Sequence, residues 1–365
     1  MSAPALLTLR DFEAVARERL DPVHYDYVAG GARDEITVRA NESAFQRLSL
    51  LPRVLRGRAK LETAVTLFDS RASMPIIISP TAFHRLACAE GELATARAAA
   101  AADTIMIVSM ASTVAVGEVA DAARAAAPGR DPQLWFQLYI QPDLEDTEAL
   151  VRRATDAGCT ALVVTVDSPV LGVHDHNKRN GFNDLPAGLY CENLRNLRGD
   201  EPGSVRQIAM SPELSWDHVD WLRAHTELPI VLKGVLHPAD ARLALQHGVD
   251  GLLLSNHGGR QLDTVPATID LLPEMAAAVG GAVPLLLDGG VRRGTDAVKA
   301  IALGAAAVGV GRPIVWGLAA DGERGAARVL EILREEFEHT MMLCGAGRLD
   351  ELTGDLVRPN PGARS

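Results

Sequence analysis

Residues 255–263 read SNHGGRQLD, and they set a histidine and an arginine three positions apart around two glycines. An imidazole can act as a general base and a guanidinium as a fork for a carboxylate, which together suit removal of a proton next to an acid group. Asp167, in the segment TVD, is a candidate to hold His257 in one tautomer and to stabilise its imidazolium once a proton arrives. Lys233 ends the apolar run PIVLKG, and a cation there is costly unless it meets a negative charge at least part of the time. One such charge is a reduced flavin, whose N1–C2=O edge becomes anionic after accepting two electrons. A structural carboxylate such as Asp288 is the competing partner. Ser109, Gln137 and Thr165 offer the hydrogen bonds that the edge of a flavin ring needs. Two glycine-bearing loops, LDGGVRRGTD (287–296) and GVGRP (309–313), stand where helices should begin and suit a phosphate, with Arg292 and Arg312 completing the clamp.

These residues need a frame. From residue 75 onward, short apolar runs alternate with Ala/Leu-rich stretches of helical period. The runs cover 75–79, 104–109, 134–139, 161–166, 229–234, 251–255, 284–290 and 306–311. Eight buried strands, each followed by a helix, predict an α/β protein with a (β/α)8 TIM barrel, ahead of a doubly wound sheet. In that fold the carboxyl ends of the strands carry the chemistry, and here they are polar all round. They hold Ser79, Ser109, Gln137 and Tyr139, Thr165 and Asp167, Lys233, Ser255 and His257, Asp288, and Gly311 with Arg312. Helix signals agree: EGELATARAAAAA after Cys88, Ser215 as an N-cap, and Pro238 opening a helix that Gly248 closes. Residues 1–70 read as a mainly helical extension packed on a barrel of 75–345 within a single domain. Residues 183–214, polar and without period, read as a lid loop after the fourth strand.

Composition narrows the partners. With 36 Lys and Arg against 47 Asp and Glu, the net charge is −11 and no basic run offsets it, which argues against nucleic acid. Four scattered cysteines without a CxxC pair read as free thiols in a reducing, cytoplasmic setting, and no metal set is expected. The first twenty residues turn amphipathic too soon for a signal peptide. No apolar run reaches the roughly 18 residues of a membrane span.

SNHGGRQLD and LDGGVRRGTD resemble the FMN-dependent α-hydroxy acid oxidase and dehydrogenase family, which includes glycolate, lactate and hydroxymandelate oxidases, and the likeness runs from about residue 8 to about residue 350. The resemblance implies that Tyr27 (in YDYVAGGA) and Arg260 bind the substrate carboxylate, that Tyr139 contacts its hydroxyl, and that His257 is the base paired with Asp167. It assigns Pro80, Thr81 and Ala82 to the segment beside flavin N5. Ser109, Gln137, Thr165, Lys233 and Ser255 fall at ring positions, and Asp288, Gly290, Arg292, Gly311 and Arg312 at the ribityl and phosphate positions. A homotetramer is implied as well.

One position departs from the family. His174 stands seven residues after Asp167, where members usually carry an arginine near the substrate carboxylate. An imidazole lacks the bidentate fork, so a weaker grip on a simple hydroxy acid is expected, and restoring arginine should improve turnover. Ala111 replaces a bulky tryptophan of glycolate oxidase and lies beside Phe83, which makes room for an aromatic or branched side chain. The expected activity is oxidation of an (S)-2-hydroxy acid, mandelate-like, to the 2-oxo acid, with O2 as acceptor giving H2O2. The polar loop 183–214 and the lack of a haem domain favour O2 over other acceptors. The alternatives are a dehydrogenase using another electron acceptor, an isomerase of the isopentenyl-diphosphate type, and a non-catalytic flavin-binding paralogue.

Overall fold

The computed structural model describes residues 6–57, 60–197, 208–360 and 362. Eight parallel strands, β1 (Ile76–Ile78), β2 (Met106–Ser109), β3 (Leu134–Leu138), β4 (Leu162–Thr165), β5 (Ile230–Lys233), β6 (Gly251–Leu254), β7 (Leu285–Asp288) and β8 (Ala307–Val310), pair in chain order. The barrel closes where Val308 of β8 pairs with Ile76 of β1. Each expected run contains its strand. All eight strands are apolar through their length until the last turn of the pleat, because both of their faces are covered.

Side chains alternate across a strand, so residues two apart share a face. One interior layer holds Ile77, Ile107, Trp135, Val163, Val231, Leu253, Leu286 and Ala307. Two residues further on, the same face carries Ser79, Ser109, Gln137, Thr165, Lys233, Ser255, Asp288 and Gly309. The barrel interior therefore changes from hydrocarbon to polar within one pleat.

Three helices precede the barrel: α1 (Leu9–Arg19), α2 (Pro22–Ala29) and α3 (Ile36–Gln46). Thr8 caps α1 in a reciprocal box with Asp11, and Asp21 with Pro22 starts α2. The extension is less helical than expected. A hairpin of Val65–Leu67 and Ser70–Ala72 closes the amino-terminal end of the barrel, and Leu48–Leu50 pairs antiparallel with Val357–Pro359 near the other end of the chain. Six-residue hairpins and edge pairs carry too little period to be read from a single sequence.

Between Asp167 and residue 197 the chain forms a short helix, Asp175–Arg179, and a single 3-10 turn, Glu192–Leu194. Residues 183–197 were expected to be structureless, but they pack. Cys191 and Asn193 are buried, the Asn193 side chain accepts from the Val116 amide at 2.7 Å, and it donates to Ser112 Oγ at 2.8 Å. That packing partner lies some eighty residues away, so local pattern cannot reveal it. Of the remainder of the expected lid, 198–207 lies outside the described residues, and with it Arg198, Asp200, Glu201 and Arg206. Among the described residues no helix is long and apolar enough to cross a membrane, and no cluster of His, Cys, Asp and Glu could hold a metal ion.

Candidate active site

A cavity of about 660 Å³ opens at the carboxyl ends of the strands. All the expected site residues line it except Asp167 and Ser255, which stand directly behind its wall. On its floor Ser109 Oγ donates to Gln137 Oε1 (3.1 Å) and Gln137 Nε2 donates to Thr165 Oγ1 (3.1 Å), a ladder across β2, β3 and β4 made possible by the in-register pairing of Ser109 with Gln137. Next in the ring is Lys233, whose Nζ is buried and has no hydrogen-bond partner in the protein. Across the floor, Asp288 accepts from Ser79 Oγ through Oδ2 (3.1 Å), while its Oδ1 is buried and equally without a partner. The two groups do not satisfy each other, which removes Asp288 as the partner of Lys233. Orphaned buried charges of this kind cost several kcal/mol each unless something else meets them.

His257 Nδ1 donates to Asp167 Oδ1 at 3.0 Å, with Oδ2 at 3.2 Å. Nε2 is left facing the cavity without a protein partner. Burial opposes ionisation of Asp167, but the charges of His257 and Lys233 and hydrogen bonds from His257 and Ser168 outweigh it and hold the carboxyl down at about 2. Burial, and then the Lys233 charge, push the His257 pKa below its ordinary value despite Asp167. The imidazole is thus neutral near pH 7, with a lone pair on Nε2 and an anion behind Nδ1, which is the arrangement a general base needs. The turn that presents it is left-handed at His257 (φ 57°), Gly258 (φ 62°) and Gly259 (φ 76°). The two glycines do clear space, but for protein: a Cβ on Gly258 would sit 2.7 Å from Arg312 Nη1, and one on Gly259 2.7 Å from the Val38 amide.

Arg260 follows on the same turn. One terminal nitrogen donates to the carbonyls of Tyr27 (2.7 Å) and Gly30 (3.0 Å), and the guanidinium lies 4.9 Å from the centre of the Tyr27 ring. Tyr27 in turn packs against Phe83 (5.5 Å) and Phe182 (5.1 Å), an aromatic wall that sequence reasoning saw only in part. Burial raises the pKa of both Tyr27 and Tyr139, so each phenol stays a hydrogen-bond donor across the working range. Ala111 is buried in the same wall and leaves its place open.

Four of the candidate residues also touch protein groups that the sequence does not reveal. Ser255 is fully buried, and its hydroxyl accepts from the His257 amide (3.1 Å), so it shapes the His257 turn from behind the cavity. Arg312 donates to the carbonyls of Val28 (3.0 Å), Gly258 (2.9 Å) and Gly30 (2.8 Å), tying α2 to the His257 turn and leaving one N–H on each terminal nitrogen for a ligand. Its burial, with Arg260 and Arg292 nearby, pulls its pKa down to about 9. Arg292 is paired with Glu42 at 2.9 Å and lies over the Trp316 ring, yet its Nε remains buried and unpartnered. His174 has both ring nitrogens engaged by protein, at Arg260 O and Asn177. Gln261, which the sequence reading left out although it stands inside the SNHGGRQLD stretch, bridges the Asp167 and Arg260 loops.

The profile of the FMN-dependent dehydrogenase family matches residues 16–359. The chain is 46% identical over 369 residues to 2-hydroxyacid oxidase 1 of Homo sapiens, covering 98% of both chains. The chain belongs to the FMN-dependent α-hydroxy acid oxidase and dehydrogenase family. L-lactate oxidase of a Nostoc strain is 42% identical, over 95% of this chain and 96% of its own. A crystal structure of mandelate oxidase with benzoyl-formic acid superposes with a TM-score of 0.88 at 40% identity, covering 98% of this chain and 99% of that one. FMN is the cofactor of the family, and the unpartnered buried atoms Lys233 Nζ, Asp288 Oδ1 and Arg292 Nε, together with the Ser109–Gln137–Thr165 ladder, are the donors and acceptors that such a group requires. The chain is an FMN-dependent 2-hydroxy acid oxidoreductase.

Proposed function

We propose that this member of the family oxidises an (S)-2-hydroxy acid with a bulky or aromatic side chain, of the mandelate class, to its 2-oxo acid, with O2 as the acceptor and H2O2 as the second product. The observation that carries the reading is the His257–Asp167 pair, 3.0 Å apart, in one cavity with Arg260 and the unpartnered Lys233. Arg260, backed by the Tyr27 ring, takes the substrate carboxylate on the N–H groups that the Tyr27 and Gly30 carbonyls do not use. Tyr139 donates to the substrate hydroxyl. His257 Nε2 accepts a proton from the substrate, and Asp167 stabilises the imidazolium that results. When bound, FMN would supply the acceptor for the two electrons and the second hydrogen that the substrate loses, and O2 would then take both electrons with two protons to give H2O2. Lys233, with the Ser109–Gln137–Thr165 ladder, would hold its ring, and the Lys233 cation would offset the negative charge of its reduced form. Pro80, Thr81 and Ala82 would wall one side of its ring, while Asp288, Gly290, Arg292 and Gly311 would hold its ribityl phosphate, with Arg312 contributing its two remaining N–H groups. The size preference rests on Ala111 and on the Tyr27–Phe83–Phe182 wall, which together leave an apolar space next to the acid end.

A tetramer in a reducing, cytoplasmic setting completes the proposal, consistent with four free cysteines. The test is anaerobic bleaching of the purified yellow protein by glycolate, lactate, mandelate, 4-hydroxymandelate and longer aliphatic 2-hydroxy acids, followed by peroxide measurement when air is readmitted. Mandelate-class acids should bleach fastest, with one H2O2 per turnover. Bleaching by none of them ends the proposal, and reoxidation without peroxide transfers it to a dehydrogenase with a carrier.

A further inference from the structure

We propose that His174 is a positioning residue, whose ring pins the backbone of Arg260 so that the guanidinium of Arg260 reads the substrate's acid group without a contact from position 174. The proposal rests on the reading that Arg260 receives that group, and it reverses the expectation that His174 faces the substrate as a weak substitute for arginine.

The ring is fully spent. Nε2 donates to the Arg260 carbonyl at 2.7 Å, and Nδ1 accepts from the Asn177 side chain at 3.3 Å. A neutral imidazole has one donor and one acceptor, so nothing remains for a ligand. Burial and the neighbouring Arg260 charge pull the His174 pKa down to about 4, which agrees with a ring that stays neutral. The same loop is fastened to the same turn at a second point. The Gly172 amide donates to Gln261 Oε1 at 2.6 Å, and Gln261 Nε2 returns to the Asp167 carbonyl at 3.2 Å and to Ser168 Oγ. The approach is close enough that a Cβ on Gly172 would fall 2.1 Å from the Arg260 carbonyl oxygen. His174, Gly172 and Gln261 therefore zip the loop that carries Asp167 onto the turn that carries His257 and Arg260. Arg260 is held at its carbonyl by this zipper and at its head by Tyr27 and Gly30.

An arginine at 174 has five donors and no acceptor, so it cannot accept from Asn177, and it would bring a second guanidinium against Arg260. In this chain it should not restore anything.

The test uses the FMN-loaded enzyme and the variants H174A, H174Q, H174R and G172A, with two readouts: calorimetric binding of phenylacetate, an inert carboxylate, and anaerobic flavin reduction by mandelate. H174A should weaken phenylacetate about tenfold and raise the mandelate concentration for half-maximal reduction by a like factor, as loss of one buried hydrogen bond predicts. H174Q, whose amide N–H can reach the Arg260 carbonyl, should recover to within about threefold of the parent. G172A should follow H174A, because it separates the same two backbones, and H174R should bind phenylacetate no more tightly than the parent. Phenylacetate binding tightened tenfold or more in H174R would show that position 174 faces the acid group and would overturn the proposal. So would H174Q behaving as H174A, or H174A binding as the parent does. If the parent binds phenylacetate but no 2-hydroxy acid reduces its flavin, the oxidase reading fails while the binding series still decides the role of His174.

Discussion

The two ends of one barrel are built from the same eight strands and do opposite work. At the amino-terminal end Trp135 is fully buried, its indole N–H donates to Ser70 Oγ at 2.8 Å, and Phe68 of the hairpin packs on it with ring centres 5.5 Å apart. Two residues along the same strand, Gln137 lies in the polar floor beside unpartnered Lys233 and Asp288. At the lower end the Trp135 indole has its partner, while the upper end leaves the Lys233 ammonium and one Asp288 oxygen without one. Stability is concentrated in the first and affinity for a ligand in the second, separated by a single step of the pleat.

Substitutions at the two ends should therefore separate cleanly. The largest effect is expected at His257: H257Q should slow anaerobic flavin reduction by about 10³- to 10⁴-fold while keeping FMN and the parent melting temperature. Near-parental reduction would remove His257 from the role of base. At the lower end W135A should cost about 3–5 kcal/mol of unfolding free energy, from the lost ring and the cavity it leaves, with little change in kcat for the protein that remains folded. A large fall in kcat without loss of stability would break the division. K233M should lower flavin reduction by about a hundredfold, yet the FMN-free protein should melt no lower than its parent, because an unpaired buried cation has been replaced by an apolar chain. A111W should cut kcat/KM for mandelate by about 10–100-fold and leave glycolate nearly unaffected, read from the ratio of the two. The smallest effect is in pH. His257 works as the neutral base, so kcat/KM should fall as pH drops through its pKa, and because that pKa is lowered, the midpoint of the acid limb should lie below 6.5. A midpoint above that value would mean that Asp167 outweighs burial and Lys233.

The polar ring was legible in the sequence because strand geometry has a period of two: once the eight apolar runs are aligned, the residues that follow them must share one mouth. The His257–Asp167 pair was legible for the same reason, since both lie just past strand ends. What escaped depends on contacts distant along the chain. Nothing local distinguishes Gln261 as a bridge to Asp167, or Arg312 as a tie to Val28, from the same residues facing a ligand. The engagement of both His174 ring nitrogens could not be read either, because residue type reports what a side chain can do, and only its neighbours decide whether that capacity is already taken. Residues 183–197 looked loose because the groups that bury Asn193 belong to the loop before Val116.

The Arg312 tie has a consequence for assembly. It joins residue 312 to carbonyls at 28 and 30 near the start of the chain and to 258 in its middle. A polypeptide emerging from the ribosome has made its first helices long before Arg312 exists, and until then the segment bearing Tyr27 has no such anchor on the His257 turn. The pocket is consequently a late product of synthesis, completed only when both extremities have met, and a nascent chain stalled short of that point should bind riboflavin phosphate poorly however well its earlier strands have formed.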